Sequence, residues 1–248
     1  MITGCQQDTR TTDEKFIDSL EKGLAERWKL TDKDLEDSTE TFNSYVNAEL
    51  SEIGQYKDEN FDSADLKQAA EAYIASLEHT LEITPTLDKD PDKFYELYQP
   101  VYSERGQALL DINGLSPLEM GDKEDQKDLE ELLDDAQITR AATDLASQFN
   151  FQCVKEDGDE ETGWYSAELE SKVKNDTEYT YDYFNLTVNF VDKDGAVLTQ
   201  GYATVNTWKS GQTQTFELFT DKKFDHVELA KVDYLVADNG FAGEIYFE

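Results

Sequence analysis

The sequence predicts a mixed α+β chain in two separate domains: an N-terminal antiparallel helical bundle and a C-terminal all-β immunoglobulin-like sandwich. Three observations predict it. Across 11–150 the apolar residues recur at steps of three and four, the period of a helix face. Across 164–248 they alternate, the period of a half-buried strand. Between these, Lys155-Glu156-Asp157-Gly158-Asp159-Glu160-Glu161 has no apolar period and marks 151–163 as an acidic hinge.

The helices carry start and stop signals. Thr11 with Glu14 fits a capping box, and Phe16, Ile17, Leu20, Leu24 and Trp28 follow it at helical spacing. Thr31 and Asp34 restart the chain, Leu35, Phe42, Val46, Leu50 and Ile53 form the next stripe, and Gly54 closes it. Asp62 or Ser63 caps a third helix with Leu66, Ala70, Tyr73, Leu77 and Leu81 on one face. Asp90-Pro91 is an N-cap followed by proline at the first helical position. Pro100 is expected to kink or split the helix that follows. The last helix begins near Asp122 and carries Leu129, Leu132, Leu133, Ala136, Ala142, Leu145 and Phe149. Short connections make these a bundle, with the charged side chains as solvated faces.

The strands follow. Tyr165, Ala167, Leu169, Ser171 and Val173 share one face, and Phe184, Leu186, Val188 and Phe190 form the clearest strand face in the chain. Asp192-Lys193-Asp194-Gly195 is a hairpin turn, since glycine supplies positive φ. Ser210-Gly211 turns again, and further strands run through Phe216, Leu218, Val227, Leu229, Val232 and Ile245. Some seven short strands fit an immunoglobulin-like sandwich. Trp164 and Trp208 are expected in its core, and Cys153, after Phe149 and Phe151, as a buried small hydrophobe.

Charge narrows the partners. Against 22 basic residues stand 56 acidic ones, a net charge of −34 over 248 residues. The excess is spread through the chain, with 14 basic and 36 acidic side chains in residues 1–150. The longest basic run is Lys222-Lys223, so the sequence argues against nucleic acid and against anionic lipid surfaces. An aromatic share of 12% argues for folded cores.

Ile2-Thr3-Gly4-Cys5 resembles the end of a bacterial lipobox, and the polar stretch after it resembles a tether. The resemblance implies residues 1–10 as lipobox remnant and tether. It also implies diacylglycerol on Cys5 and a chain held at the extracellular face of the cell membrane through that anchor alone. A second resemblance rests on Val173-x-Asn175, on Phe184 to Phe190 with Asp192-Lys193-Asp194-Gly195, and on Ser210-Gly211-Gln212-x-x-x-Phe216. Together these resemble the FxLYD domain of Gram-positive surface lipoproteins, with the name-giving pattern falling on Val188-Asn189-Phe190-Val191-Asp192. Gly23-Leu24-x-x-Arg27-Trp28-Lys29 resembles the N-terminal region of such lipoproteins. The family implies an envelope protein and no catalytic residue.

Motifs of catalysis are absent from the sequence. His79 and His226 sit in no ligand or triad spacing and are expected to face solvent, and Ser19-x-x-Lys22 lacks the companion elements of penicillin-binding enzymes. Weak calcium candidates are Asp88, Asp90 and Asp92, spaced like the opening of an EF-hand loop but with Lys93 in place of its glycine, and Asp157 and Asp159 in the hinge. Asp90 is also explained as a helix cap. No other cofactor is implied. Tyr179, Tyr181 and Tyr183 alternate opposite the Phe184 face and form a candidate row for stacking on a sugar or anchoring a protein; a bulge near Tyr183 would instead bury them. The expected function is a non-catalytic surface lipoprotein that binds or scaffolds an envelope protein or glycan. The alternatives are a wall hydrolase with carboxylates between the domains and a calcium-responsive stalk.

Overall fold

The computed structural model describes residues 9–33, 35–159, 161–237 and 239–247. Among the described residues, five α-helices precede a β-sandwich of antiparallel strands. By internal contacts the chain falls into two compact units, Met1–Gln137 and Ile138–Glu248.

The first unit is helical. Its elements are α1 (Thr12–Thr31), α2 (Thr39–Ile53), α3 (Ala64–Ile83), α4 (Pro91–Leu115) and the first part of α5 (Lys123–Ala146). The caps expected at Thr11, Ser63 and Asp90 are formed: Thr11 and Glu14 exchange capping-box bonds, and Ser63 and Asp90 accept from the first turns of α3 and α4, while α2 is capped by Ser38, which was not expected. The core gathers Phe16, Leu20 and Leu24 of α1, Val46 and Ile53 of α2, Tyr73 and Leu77 of α3, and Leu109 and Ile112 of α4. A smaller cluster holds Ile83, Leu87, Phe94 and Val101. Two expectations are corrected. Leu35 does not open α2; that helix starts four residues later, behind Ser38, and leaves Leu35 exposed. Nor does Pro100 split α4, which runs through it unbroken.

The second unit holds the remainder of α5 and the sandwich. One sheet has the order β1-β2-β5, from Gln152–Asp159, Trp164–Lys174 and Thr213–Thr220. The other has the order β4-β3-β6-β7, from Val197–Trp208, Tyr181–Val191, His226–Val236 and Ala242–Tyr246. Phe184, Leu186, Val188 and Phe190 are all buried, as their alternation predicts, against Leu169, Phe216, Leu218, Val232 and Tyr234. Ile138, Ala142, Leu145 and Ala146 of α5 join the same core. Gly195 and Gly211 take positive φ at the two expected turns. Asp192 ties the first turn, its carboxylate accepting from the N–H groups of Asp194 and Ala196, each at 2.9 Å.

Here three expectations fail. The supposed hinge 151–163 contains β1, paired in register with β2 from Gln152 opposite Glu170 to Asp159 opposite Trp164. Every side chain of β1 is exposed, so the strand has no buried face to imprint a period on its sequence. Cys153 is exposed for the same reason, at the bulge in that pairing. Trp164 is also exposed, because Tyr165, Ala167 and Leu169 occupy the inward positions and the residue before them points outward. Trp208 is fully buried, as expected.

Candidate functional site

The outward face of β4-β3-β6-β7 is the most distinctive surface of the second unit. Its side chains fall in rungs across the strands. The first is Asn206, Tyr183, Leu235 and Ala242; the second Thr204, Asn185, Asp233 and Glu244; the third Tyr202, Thr187, Lys231 and Tyr246; the fourth Gln200, Asn189 and Glu228. Thus the outward positions of β3 from Tyr183 to Asn189 and of β4 from Gln200 to Asn206 are all uncharged. That is unusual in a chain where 31% of residues are charged. Amides and hydroxyls cover the strands, and two tyrosines stand at the edges, Tyr202 being 64% and Tyr246 43% exposed.

Cross-strand hydrogen bonds hold this surface in place. The Thr204 hydroxyl donates to Asn185 Oδ1 at 2.6 Å, Asn185 Nδ2 donates to Asp233 Oδ2 at 3.1 Å, and Gln200 Nε2 donates to Asn189 Oδ1 at 2.9 Å. Each amide and hydroxyl has more capacity than these bonds use, so donors and acceptors also face solvent. Lys231 is ion-paired with Asp233 at 2.6 Å and Glu244 at 2.9 Å, and its ammonium lies 5.3 Å from the centre of the Tyr246 ring. Partial burial disfavours its charge, but the bonds to Asp233 and Glu244 outweigh that and hold the ammonium above the usual lysine range. The Tyr246 hydroxyl donates to Glu244 at 2.8 Å, and burial together with that bond raises it. The inner side of the same sheet leaves no slack: a Cβ on Gly243 would lie 2.2 Å from the Tyr234 ring, so only glycine fits there.

The tyrosine row divides. Tyr183 lies half-buried on this outward face. Tyr181 is fully buried against Phe184, Trp208 and Tyr234, because the β3–β6 register shifts between Tyr181 and Tyr183 and reverses the phase of the strand. Burial pushes its hydroxyl up to about 12. Tyr179 packs partly buried against the sandwich core. The exposed row is therefore not formed, and the exposed tyrosines of the sheet are Tyr202 and Tyr246. Their parity with Thr204 and Glu244 was visible in the sequence; which parity faced outward was not.

Other candidates disperse. Cys5 lies outside the described residues. Asp88 accepts from the Thr39 N–H at 3.0 Å, Asp90 caps α4 through Lys93 N–H at 3.0 Å, and Asp92 is exposed in the first turn. Asp157 accepts from Gly158 N–H, and Asp159 closes the β1–β2 turn by accepting from Glu161 and Thr162 N–H groups, the Thr162 bond foremost in holding its carboxyl below the usual range. No group of three His, Cys, Asp or Glu residues converges to hold a metal among the described residues. His79 and His226 are exposed at the surface, as expected. Ser19 engages the Tyr56 hydroxyl and Lys22 engages Glu52.

A polar cluster that the sequence reading missed lies inside the helical unit. Glu49 is wholly buried, and its carboxylate accepts from Arg27 Nη1 at 2.6 Å, Arg105 Nη2 at 2.9 Å and the Tyr73 hydroxyl. Burial alone would raise its pKa; Arg105 and then Arg27 outweigh burial and keep it below the usual carboxylate range. A carboxylate so held lacks the raised pKa of a general acid. Gly23 lets α1 approach here, since a Cβ would sit 3.1 Å from Glu49 Cα.

No protein-family model matches the chain, and no curated protein matches it. Among solved structures, that of IrmA from Escherichia coli is similar over 39% of this chain and 83% of its own, at 14% identity and a TM-score of 0.29. So slight a likeness carries no argument about fold or function.

Proposed function

We propose that the protein is a non-catalytic binding module of the cell envelope, with the outward face of β4-β3-β6-β7 as its binding surface and a glycan as its ligand. One observation carries this reading: eight outward positions on two adjacent strands bear amides, hydroxyls and tyrosines and no charge, in a chain of net charge −34. Sugars offer hydroxyls to pair with such groups and an apolar ring face to stack on tyrosine. A protein partner would find little of the apolar and arginine-rich surface that protein interfaces concentrate at their centres. The strand order β1-β2-β5 against β4-β3-β6-β7 supports an immunoglobulin-like domain in which the fourth strand pairs with the third. The separate cores support a second, helical domain.

The test is binding of the full chain to an immobilised array of neutral, amino-bearing and acidic oligosaccharides. Capture by neutral or amino-bearing glycans, lost in Tyr202→Ala, supports the reading; an array blank in every class overturns it. The stretch Ile2-Thr3-Gly4-Cys5 supports a lipid anchor that would present this face outside the cell. Labelled palmitate supplied to cells expressing the gene should mark the protein but not Cys5→Ala, and equal labelling of the two would remove the anchor.

A further inference from the structure

We infer that this face reads a linear, uncharged oligosaccharide lying across the strands, with its two ends stacked on Tyr202 and Tyr246. The inference rests on the glycan reading above and adds the length, direction and charge of the ligand. Tyr202, Thr187, Lys231 and Tyr246 form one rung, with Tyr202 directly opposite Thr187, Thr187 opposite Lys231, and Lys231 opposite Tyr246. Three strand spacings separate the two tyrosines, about 14 Å. That is longer than a single pyranose ring and within the span of a short chain of them. Along the strands no second pair of this kind exists: the outward neighbours of Tyr202 on β4 are Gln200 and Thr204, and the neighbour of Tyr246 on β7 is Glu244. The line between the two exposed tyrosines therefore runs perpendicular to the strands, with half-buried Tyr183 two rungs away on β3.

Beside that line, the second rung supplies the hydrogen bonds. Thr204, Asn185, Asp233 and Glu244 run parallel to it, already oriented by the bonds from Thr204 to Asn185 and from Asn185 to Asp233. A ligand lying on the tyrosines meets this fixed row along its whole length, without the entropy cost of ordering side chains on binding. The face also selects against charge. Its one cation, Lys231, is engaged by Asp233 and Glu244, so an anionic sugar would meet two carboxylates and a lysine that already has partners. The floor beneath the rung is apolar, with Leu186, Val188 and Val232 buried, and the β3–β6 pairing shifts register just past Thr187.

The test uses β-1,4-linked glucose and N-acetylglucosamine oligomers of one to six units, titrated calorimetrically against the full chain. Oligomers long enough to reach both tyrosines should bind roughly tenfold tighter than the monosaccharides. Either Tyr202→Ala or Tyr246→Ala should return the long oligomers to the affinity of the short ones. Both residues are exposed, and an unchanged melting temperature in each variant confirms that the fold is kept. Equal affinity for monomer and hexamer would overturn the extended site while leaving glycan binding in place. Length dependence that survives Tyr246→Ala but disappears in Gln200→Ala would mean that the ligand follows β4, and would overturn the crossing direction. Tighter binding of a carboxylated oligomer of the same length would overturn the selection against charge. Binding by no member of the series, alongside a blank array, would remove the glycan reading itself.

Discussion

In the helical unit one fully buried polar side chain is a charge, Glu49; in the sheet unit a fully buried polar side chain is an amide, Asn175. The two are satisfied differently. Glu49 takes its donors from side chains on three other helices, α1, α3 and α4. Asn175 turns to the backbone, with Nδ2 donating to the carbonyls of Tyr179 at 2.9 Å and Trp208 at 3.1 Å, and Oδ1 accepting from the Thr177 N–H and hydroxyl. Helices satisfy their own backbones and must be joined through side chains, whereas strand ends and turns leave carbonyls that an amide can reach. A charge network specifies which helices meet, but it depends on every partner. An amide specifies one corner of the sandwich at lower risk, because its loss strands no charge.

The comparison breaks most visibly at Glu49. Glu49→Ala leaves two arginines buried without their carboxylate, and the helical unit should lose about 3–5 kcal/mol of unfolding free energy. Urea unfolding followed through Trp28 fluorescence measures this. Replacing Arg27, Glu49 and Arg105 together by apolar residues of similar size should recover much of the loss, since no unpaired charge then remains. A triple variant as weak as Glu49→Ala would show that the cluster stabilises by more than charge pairing. The folded-state pKa of Glu49 is lowered, so its contribution is present above the ordinary carboxylate range and is lost as pH falls through the lowered value.

Asn175→Ala should cost less, on the order of 2–3 kcal/mol, because the carbonyls of Tyr179 and Trp208 lose a donor without any charge being exposed to the core. Denaturation monitored at Trp208 reports it. Asn175→Asp keeps the shape but cannot donate, so it should do no better than alanine at neutral pH. Rescue by aspartate would place the contribution in Oδ1 and the Thr177 turn instead.

Much of this was legible. The caps at Thr11 and Asp90, the stripe from Phe16 to Leu24 and the strand face from Phe184 to Phe190 all announce themselves, because each is an element with one wet face and one dry face. Where that asymmetry is missing the reading failed. β1 is wet on both faces, so a paired strand looked like a linker. Tyr181 lost its expected exposure to a single shift of register, which no alternation pattern records. The Glu49 cluster did leave a signal. Glu49 lies on the stripe with Val46 and Ile53, and Arg105 lies four residues from both Val101 and Leu109, so each charge sits at a position its helix keeps dry. The outward face of β4-β3-β6-β7 left a fainter one. Its lack of charge is plain once the rungs are known, but the rungs require pairing partners that are far apart in the chain.

The smallest effect separates the proposed binding face from its rim. His226 opens β6, with Nδ1 3.1 Å from Asp225 and Nε2 3.0 Å from Glu228, the acid that closes the fourth rung. The hydrogen bond to Glu228, then that to Asp225, raises its pKa above the ordinary histidine value. The sign follows from linkage: the stabilisation from charged His226 is complete below the ordinary value of about 6.5 and is lost as pH rises through the raised one. The residue is exposed and water screens the pair, so melting temperature should fall only slightly across that window, and the fall should vanish in His226→Gln. Affinity for the proposed glycan should stay flat over the same range, because Tyr202, Lys231 and Tyr246 lie on the neighbouring rung, and Lys231 and Tyr246 are both held above their ordinary ranges. An affinity that tracks the histidine titration, followed by NMR of its ring protons, would extend the binding surface to the fourth rung and bring Glu228 into contact with the ligand.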